Sequence, residues 1–110
     1  MIVRHTQPGP ETHGLTPGRL YAVIGIEADD YRILNDFGEP TLFPPDVFEL
    51  VDTREPADWI TTTGDDDERY AYPPPLNRPG FFEGYFDRDP ATVAAFWQRV
   101  NDQLNTAAAG

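Results

Sequence analysis

A chain of 110 residues with a net charge of −11 and an isoelectric point near 4.3 is long enough to fold on one hydrophobic core. Its acidity argues against nucleic acid and against an anionic membrane surface as partners. Cysteine is absent, and the sequence contains neither serine nor lysine, so disulfides, Ser or Cys nucleophiles and Schiff-base lysines are excluded. A hydrophobic share of 39% with 13% aromatics is the composition of a packed domain, not of a disordered chain. No apolar run reaches the length of a membrane span. The opening "MIVRHTQPGPE" lacks the pattern of a signal peptide, so the expected location is a bacterial cytoplasm.

In chain order, "MIVRHT" reads as a first short strand. "GRLYAVIGIE" alternates, with Leu20, Ala22, Ile24 and Ile26 on one face and Tyr21 and Val23 on the other, and predicts a strand whose first face is fully apolar. "YRILND" predicts the next strand. Asn35 and Gly38 occupy the first and last positions of a type I turn in "NDFGEP". Thr41–Phe43 is a short strand stopped by Pro44 and Pro45, "PPDVF" fits a single helical turn because proline tolerates the first positions, and "FELVD" is a further strand. Five short strands joined by tight turns within about fifty residues predict a small barrel.

The run "LFPPDVFELVD" resembles the closing motif of SH3 domains: a strand, a proline, one turn of 3₁₀-helix and a last strand. The wider segment Gly14 to Asp52 is similar to a group of small bacterial SH3-like proteins. The resemblance implies an SH3-like barrel and, through Pro44, one wall of a proline-reading groove. Peptide-binding SH3 domains carry tryptophan where Tyr31 stands and tyrosine where Val47 stands.

The second half extends this core. Trp59–Thr63 and Arg69–Tyr72 flank the acidic turn Asp65, Asp66, Asp67 and Glu68 and predict a hairpin. The spacing of these acids lacks the alternating ligands and following glutamate of a calcium loop, so they are read as a solvated turn and no metal is assigned. "YPPPLNRPGFFEGYF" is read as scaffold and not as bait for another protein's groove: an extended proline strap, then a short helix starting near Pro79 with buried aromatics. In "RDPATVAAFWQRVNDQLN", Asp89 is an N-cap and Pro90 the first helical residue. Val93, Phe96, Trp97, Val100 and Leu104 form a stripe expected to dock on the same chain, with Arg99 and Asp102 off it. Trp97, the largest of them, is expected to be buried, so that Trp97→Ala would cost about 3–5 kcal/mol. "TAAAG" is expected to fray.

Chemistry-bearing residues are sparse. His5 and His13 lie either side of a Pro/Gly-rich segment with no acidic or nucleophilic neighbour in sequence, "DRD" at Asp87–Asp89 contains the helix cap, and there is no glycine-rich phosphate loop. The sequence therefore predicts one α+β domain over residues 1–110. It comprises an SH3-like barrel over about residues 1–55, then a hairpin, a proline-rich strap and two helices packed on it. The expected function is non-enzymatic protein binding or regulation, in the manner of an acidic immunity-type protein neutralising a basic partner, without a cofactor. The expected contact residues are Asp65, Asp66, Asp67, Glu68, Tyr31 and Pro44. The alternatives are a small enzyme using carboxylate or histidine acid–base chemistry in a barrel–helix cleft, and a binder of proline-rich peptides. Partner identity and oligomeric state are not legible in the sequence.

Overall fold

The computed structural model describes the backbone of residues 1–109 and the side chains of residues 1–104. It is an α+β protein with a seven-stranded antiparallel sheet and two α-helices. The strands are β1 (Ile2–His5), β2 (Leu20–Glu27), β3 (Asp30–Leu34), β4 (Pro40–Phe43), β5 (Phe48–Asp52), β6 (Ile60–Thr63) and β7 (Arg69–Tyr72). The helices are α1 (Phe81–Phe86) and α2 (Pro90–Ala109). The chain divides into two compact units, a first over Met1–Pro73 and a second that begins at Pro74.

In the first unit the strands run in the order β4–β3–β2–β1–β5, and β7 joins β2 while pairing with β6. The sheet is open, since β4 and β5 end the path. β2 changes partners along its length. Leu20–Ala22 pair with β1, Val23–Glu27 pair with β3, and Ile26 also pairs with Ala71 of β7. The register shifts between Val23 and Gly25. Because side chains alternate with period two, a one-residue slip exchanges the two faces. Before the slip the core takes Tyr21 and Val23; after it the core takes Ile26. The apolar face expected from the sequence is therefore wrong for the first half of β2, where Leu20 is half exposed and Tyr21 buried.

Tight turns close the hairpins. Asn35 and Gly38 form the expected turn, with the Gly38 amide donating to the Asn35 carbonyl at 3.0 Å and Gly38 at φ +76°. The Asn35 side chain accepts from the amides of Phe37 and Glu39. Asp36, beside it, accepts from Thr16 Oγ1 at 2.7 Å, the Tyr21 hydroxyl at 2.8 Å and Arg19 at 3.2 Å. These hydrogen bonds hold its carboxyl below the ordinary carboxylate range. A depressed folded pKa contributes stability above the unfolded value, near pH 4, that is lost as pH falls through the lower folded value. Asp36→Asn is expected to lower the urea midpoint at neutral pH, and the midpoints of variant and parent should converge in acid. Parallel midpoint–pH curves would show that Asp36 ties no loop to the sheet.

The second unit holds a 3₁₀ turn at Pro74–Leu76, then α1 and α2. The extended proline strap is thus corrected: proline's fixed φ also suits the first positions of a 3₁₀ turn. Leu76 is buried, while Pro74 and Pro75 are exposed. Phe81 and Phe82 are buried as expected, Tyr85 is half-buried, and Phe86 is 48% exposed. Asp89 caps α2, its Oδ2 accepting from the Thr92 amide at 3.0 Å and the Thr92 hydroxyl at 2.6 Å. α2 continues to Ala109, past the point where the sequence predicts fraying, and Gly110 lies outside the described residues. The inward face of α2 holds Thr92 and Phe96, with Arg99 and Gln103 half-buried. Phe96 is buried as the predicted stripe expects, but at 3.6 residues per turn its other members, Val93, Trp97, Val100 and Leu104, sit about a quarter turn away. Trp97 is 37% and Leu104 63% exposed, which overturns the expectation that Trp97 is buried.

Candidate functional site

Two surfaces of the first unit hold the residues singled out from the sequence. The first surrounds Phe48. β3 pairs with β4 so that Tyr31 lies opposite Phe43, and Pro44 follows at once. The 3₁₀ turn Pro45–Val47 then returns the chain into β5 at Phe48. The Phe48 ring lies 6.0 Å from Tyr31, 6.3 Å from Phe43 and 5.8 Å from His5. His5 is fully buried, and its Nδ1 lies 2.9 Å from the Val47 carbonyl. A carbonyl only accepts, so Nδ1 carries the proton in that contact. The amides of Thr6 and Gln7 donate to the same oxygen. His5 is thereby a fastening between the end of β1 and the turn. His13 is exposed beside the Phe37 ring at 5.4 Å. Tyr31 and Pro44, both named from the sequence, are half-buried, Tyr31 against the Phe48 ring and Pro44 at the start of the Pro45–Val47 turn. Burial raises the Tyr31 hydroxyl pKa, opposed by the charge of Arg69.

The second surface is an acidic end of the sheet, and it arises from the β2–β7 pairing. Ile26 opposite Ala71 sets the β2–β3 turn, "EADD", beside the start of β7 and hence beside the acidic turn that precedes it. Ala28 and Asp29 both adopt positive φ, 49° and 68°, the conformation of a two-residue hairpin turn that glycine and asparagine usually supply. The cost of placing alanine there is offset across the pairing. The Asp29 amide donates to the Arg69 carbonyl at 3.0 Å, and the Arg69 amide donates to Asp29 Oδ1 at 2.9 Å. The Arg69 guanidinium forks onto Glu55, with Nη1 to Oε2 at 2.6 Å and a second bond from Nη2 to Oε1. These bonds hold the Glu55 carboxyl low.

Asp65–Asp67 form a 3₁₀ turn between β6 and β7, with Asp66 at φ 59° and Asp67 at φ 60°. All three are exposed, and Glu68 is half-buried. Tyr70 lies where the two turns meet. A Cβ on Gly64 would come within 2.6 Å of its ring, so the ring covers that glycine. Burial first, then the carboxylates of Glu68, Glu27, Asp65 and Asp29, raise its hydroxyl pKa. Asp30 is raised as well, by burial and then by Asp29 and Glu27. One end of the sheet therefore gathers Glu27, Asp29, Asp30 and Asp65–Glu68 around Tyr70 and Arg69.

Behind this end lies a buried polar knot. Arg32, 5% exposed, donates from Nε to the Tyr72 hydroxyl at 3.0 Å, from Nη1 to the Pro40 carbonyl at 2.9 Å and from Nη2 to Glu27 at 3.0 Å. The Tyr72 hydroxyl donates to Glu27 at 3.1 Å, and burial drives its pKa well above the ordinary tyrosine value. Sequence reading missed Tyr70, Asp29 and this knot, because all depend on which strand β7 joins.

Among the described residues no group of three or more His, Asp and Glu side chains is placed to hold a metal ion, and no helix is long and apolar enough to cross a membrane. Comparison with protein-family models, with curated proteins and with solved structures finds no match.

Proposed function

We propose that the protein is a non-enzymatic protein-binding module, built on an SH3-like barrel, whose acidic end engages a basic protein partner. The observation that carries this reading is the β2–β7 pairing, which sets two acidic turns side by side around Tyr70. Ion pairing within the molecule leaves the field negative: Arg4, Arg19, Arg32, Arg54 and Arg69 are each matched to a carboxylate, against 19 acids in the chain. Half-buried tyrosines beside charge are the groups that anchor protein interfaces. The SH3-like reading is supported by the succession Phe43, Pro44, the Pro45–Val47 turn and β5. The enzyme reading has less support. Asp36, Asp52, Glu55 and Asp89 each accept hydrogen bonds that favour the ionised form, and His5 is a buried fastening. An inhibitory, immunity-type role is the form of this binding that a small acidic protein suits best.

The acids should act on encounter more than on residence, because charges at an interface rim mainly steer association. Asp65→Asn, Asp66→Asn and Asp67→Asn together are expected to slow association with a basic partner about tenfold at low salt and to leave dissociation nearly unchanged. The difference should shrink as the screening length falls from about 10 Å at 0.1 M to about 3 Å at 1 M salt. The measurement is stopped-flow association with the partner isolated by affinity capture. Association indifferent to both salt and the three substitutions would assign the acidity to solubility alone.

A further inference from the structure

Among the described residues the sheet ends on three strands, β4, β5 and β6. Two of these edges are guarded. β4 begins at Pro40, which has no amide and whose carbonyl accepts from Arg32 at 2.9 Å, and it stops at Pro44. β5 carries Glu49 and Asp52, matched to Arg4 and Arg54. Proline and charge are the usual devices that keep an edge strand from pairing with another chain. β6 has neither. Its four residues, Ile60 to Thr63, are all β-branched, the type that favours strand, and all are exposed. The register shows which groups face the open side. The Gly64 amide donates to the Glu68 carbonyl at 2.7 Å, so Thr62–Tyr70 and Ile60–Tyr72 are the hydrogen-bonded pairs of the β6–β7 ladder. Thr61 and Thr63 therefore turn their amides and carbonyls away from β7. The far side of β7 agrees, since their partners Arg69 and Ala71 turn toward Asp29 and Ile26.

We infer that the open edge of β6 is a docking site for an extended, basic segment of a protein partner, which adds to the sheet as a further strand. The inference rests on the proposed binding of a basic partner at the acidic end, and it names how that partner is held. Backbone hydrogen bonds to Thr61 and Thr63 hold the segment, and charge selects it. Exposed acids flank the strand at both ends, Asp58 before it and Asp65, Asp66 and Asp67 after it. Residues 52–72 hold seven acids against two arginines, and those arginines are taken by Asp52 and Glu55. A second copy fits poorly. Pairing Thr61 of one copy with Thr63 of the other sets Asp58 against Asp66 at both ends, and like charges facing each other across strands destabilise the pair.

The test is amide hydrogen exchange, read by NMR on the full chain, with a capped peptide of about seven residues, enough to span β6 and its flanks. The peptide alternates valine and threonine and carries lysine at each end; a control carries glutamate there. The Thr61 and Thr63 amides should exchange fast in the free chain and slow about tenfold or more with the lysine peptide at about millimolar concentration. The protection should fade as salt rises to about 1 M, and the glutamate peptide should give none. Thr61→Pro should abolish it, and the fold should tolerate the change because the Thr61 amide lies outside the β6–β7 ladder. The exchange result decides alone if that variant fails to fold. A lysine peptide that shifts the resonances of Asp65–Asp67 without protecting Thr61 and Thr63 would overturn strand addition and leave the basic-partner reading standing. Equal protection by both peptides would overturn the basic chemistry of the occupant. Protection at Leu50 and Val51 of β5 instead, or at Thr61 and Thr63 in the concentrated chain without peptide, would overturn the inference, and a lysine peptide without any effect would overturn both readings.

Discussion

Gly25→Ala is expected to destabilise the first unit by about 3 kcal/mol, the upper part of the range for over-packing a core. A Cβ at this position would lie 2.2 Å from two carbons of the Tyr72 ring and 3.0 Å from the Ala71 carbonyl. The ring has little room to yield, because Tyr72 is 5% exposed and its hydroxyl is held by Arg32 and Glu27. The backbone has little room either, since the next residue, Ile26, pairs with Ala71. Gly25 is therefore the place where the β6–β7 hairpin closes on β2. A urea titration of the single variant gives the loss. In a Tyr72→Ala background the same methyl should cost about 1 kcal/mol, because the ring clash is gone and only the close approach to the Ala71 carbonyl remains, and the two changes should be strongly non-additive. Additive losses would mean that the Tyr72 ring does not rest on Gly25 and that the hairpin is held by other contacts.

The elements themselves were largely legible. Alternation, proline stops and turn residues locate β1 to β5, the Asn35–Gly38 turn, the Pro45–Val47 turn, the β6–β7 hairpin and the Asp89 cap, because each is a local property of a few residues. What was not legible depends on pairing at a distance. The slip at Gly25 exchanges the faces of β2 and leaves no mark in the alternation of "LYAVIGIE". The joining of β7 to β2 makes the acidic end of the sheet, and nothing near Asp65 or Asp29 in sequence announces that the two turns meet. Gly25 was the one available signal, a glycine inside a strand where another chain segment comes close. Tyr31 and Pro44 were singled out because the SH3-like resemblance named their positions. Tyr70 was not, because its role comes from the neighbours that the β2–β7 pairing supplies.

The helix stripe held at Phe96 and failed at Trp97 and Leu104 for a different reason, and a pair of substitutions measures it. Periodicity identifies an apolar face but not which part of it is covered. In α2 the buried arc runs through Thr92 and Phe96, with the Arg99 and Gln103 side chains extending it, so a threonine and an arginine stand where the stripe predicts tryptophan and leucine. Thr92 is accepted inside because its hydroxyl donates to Asp89 and accepts from Arg78 at 3.2 Å, which satisfies a buried polar group. Phe96 is fully buried and packs edge to face with Phe82 at 6.2 Å and Tyr85 at 4.9 Å. Phe96→Ala is therefore expected to cost about 3–5 kcal/mol, the range for a buried aromatic. Trp97→Ala, one residue on and 37% exposed, should cost about 1 kcal/mol, mainly through its contact with Phe96. Measured by urea unfolding, the two values should differ by at least about 2 kcal/mol. Equal losses would return Trp97 to the core and the apolar stripe to the inward face of α2.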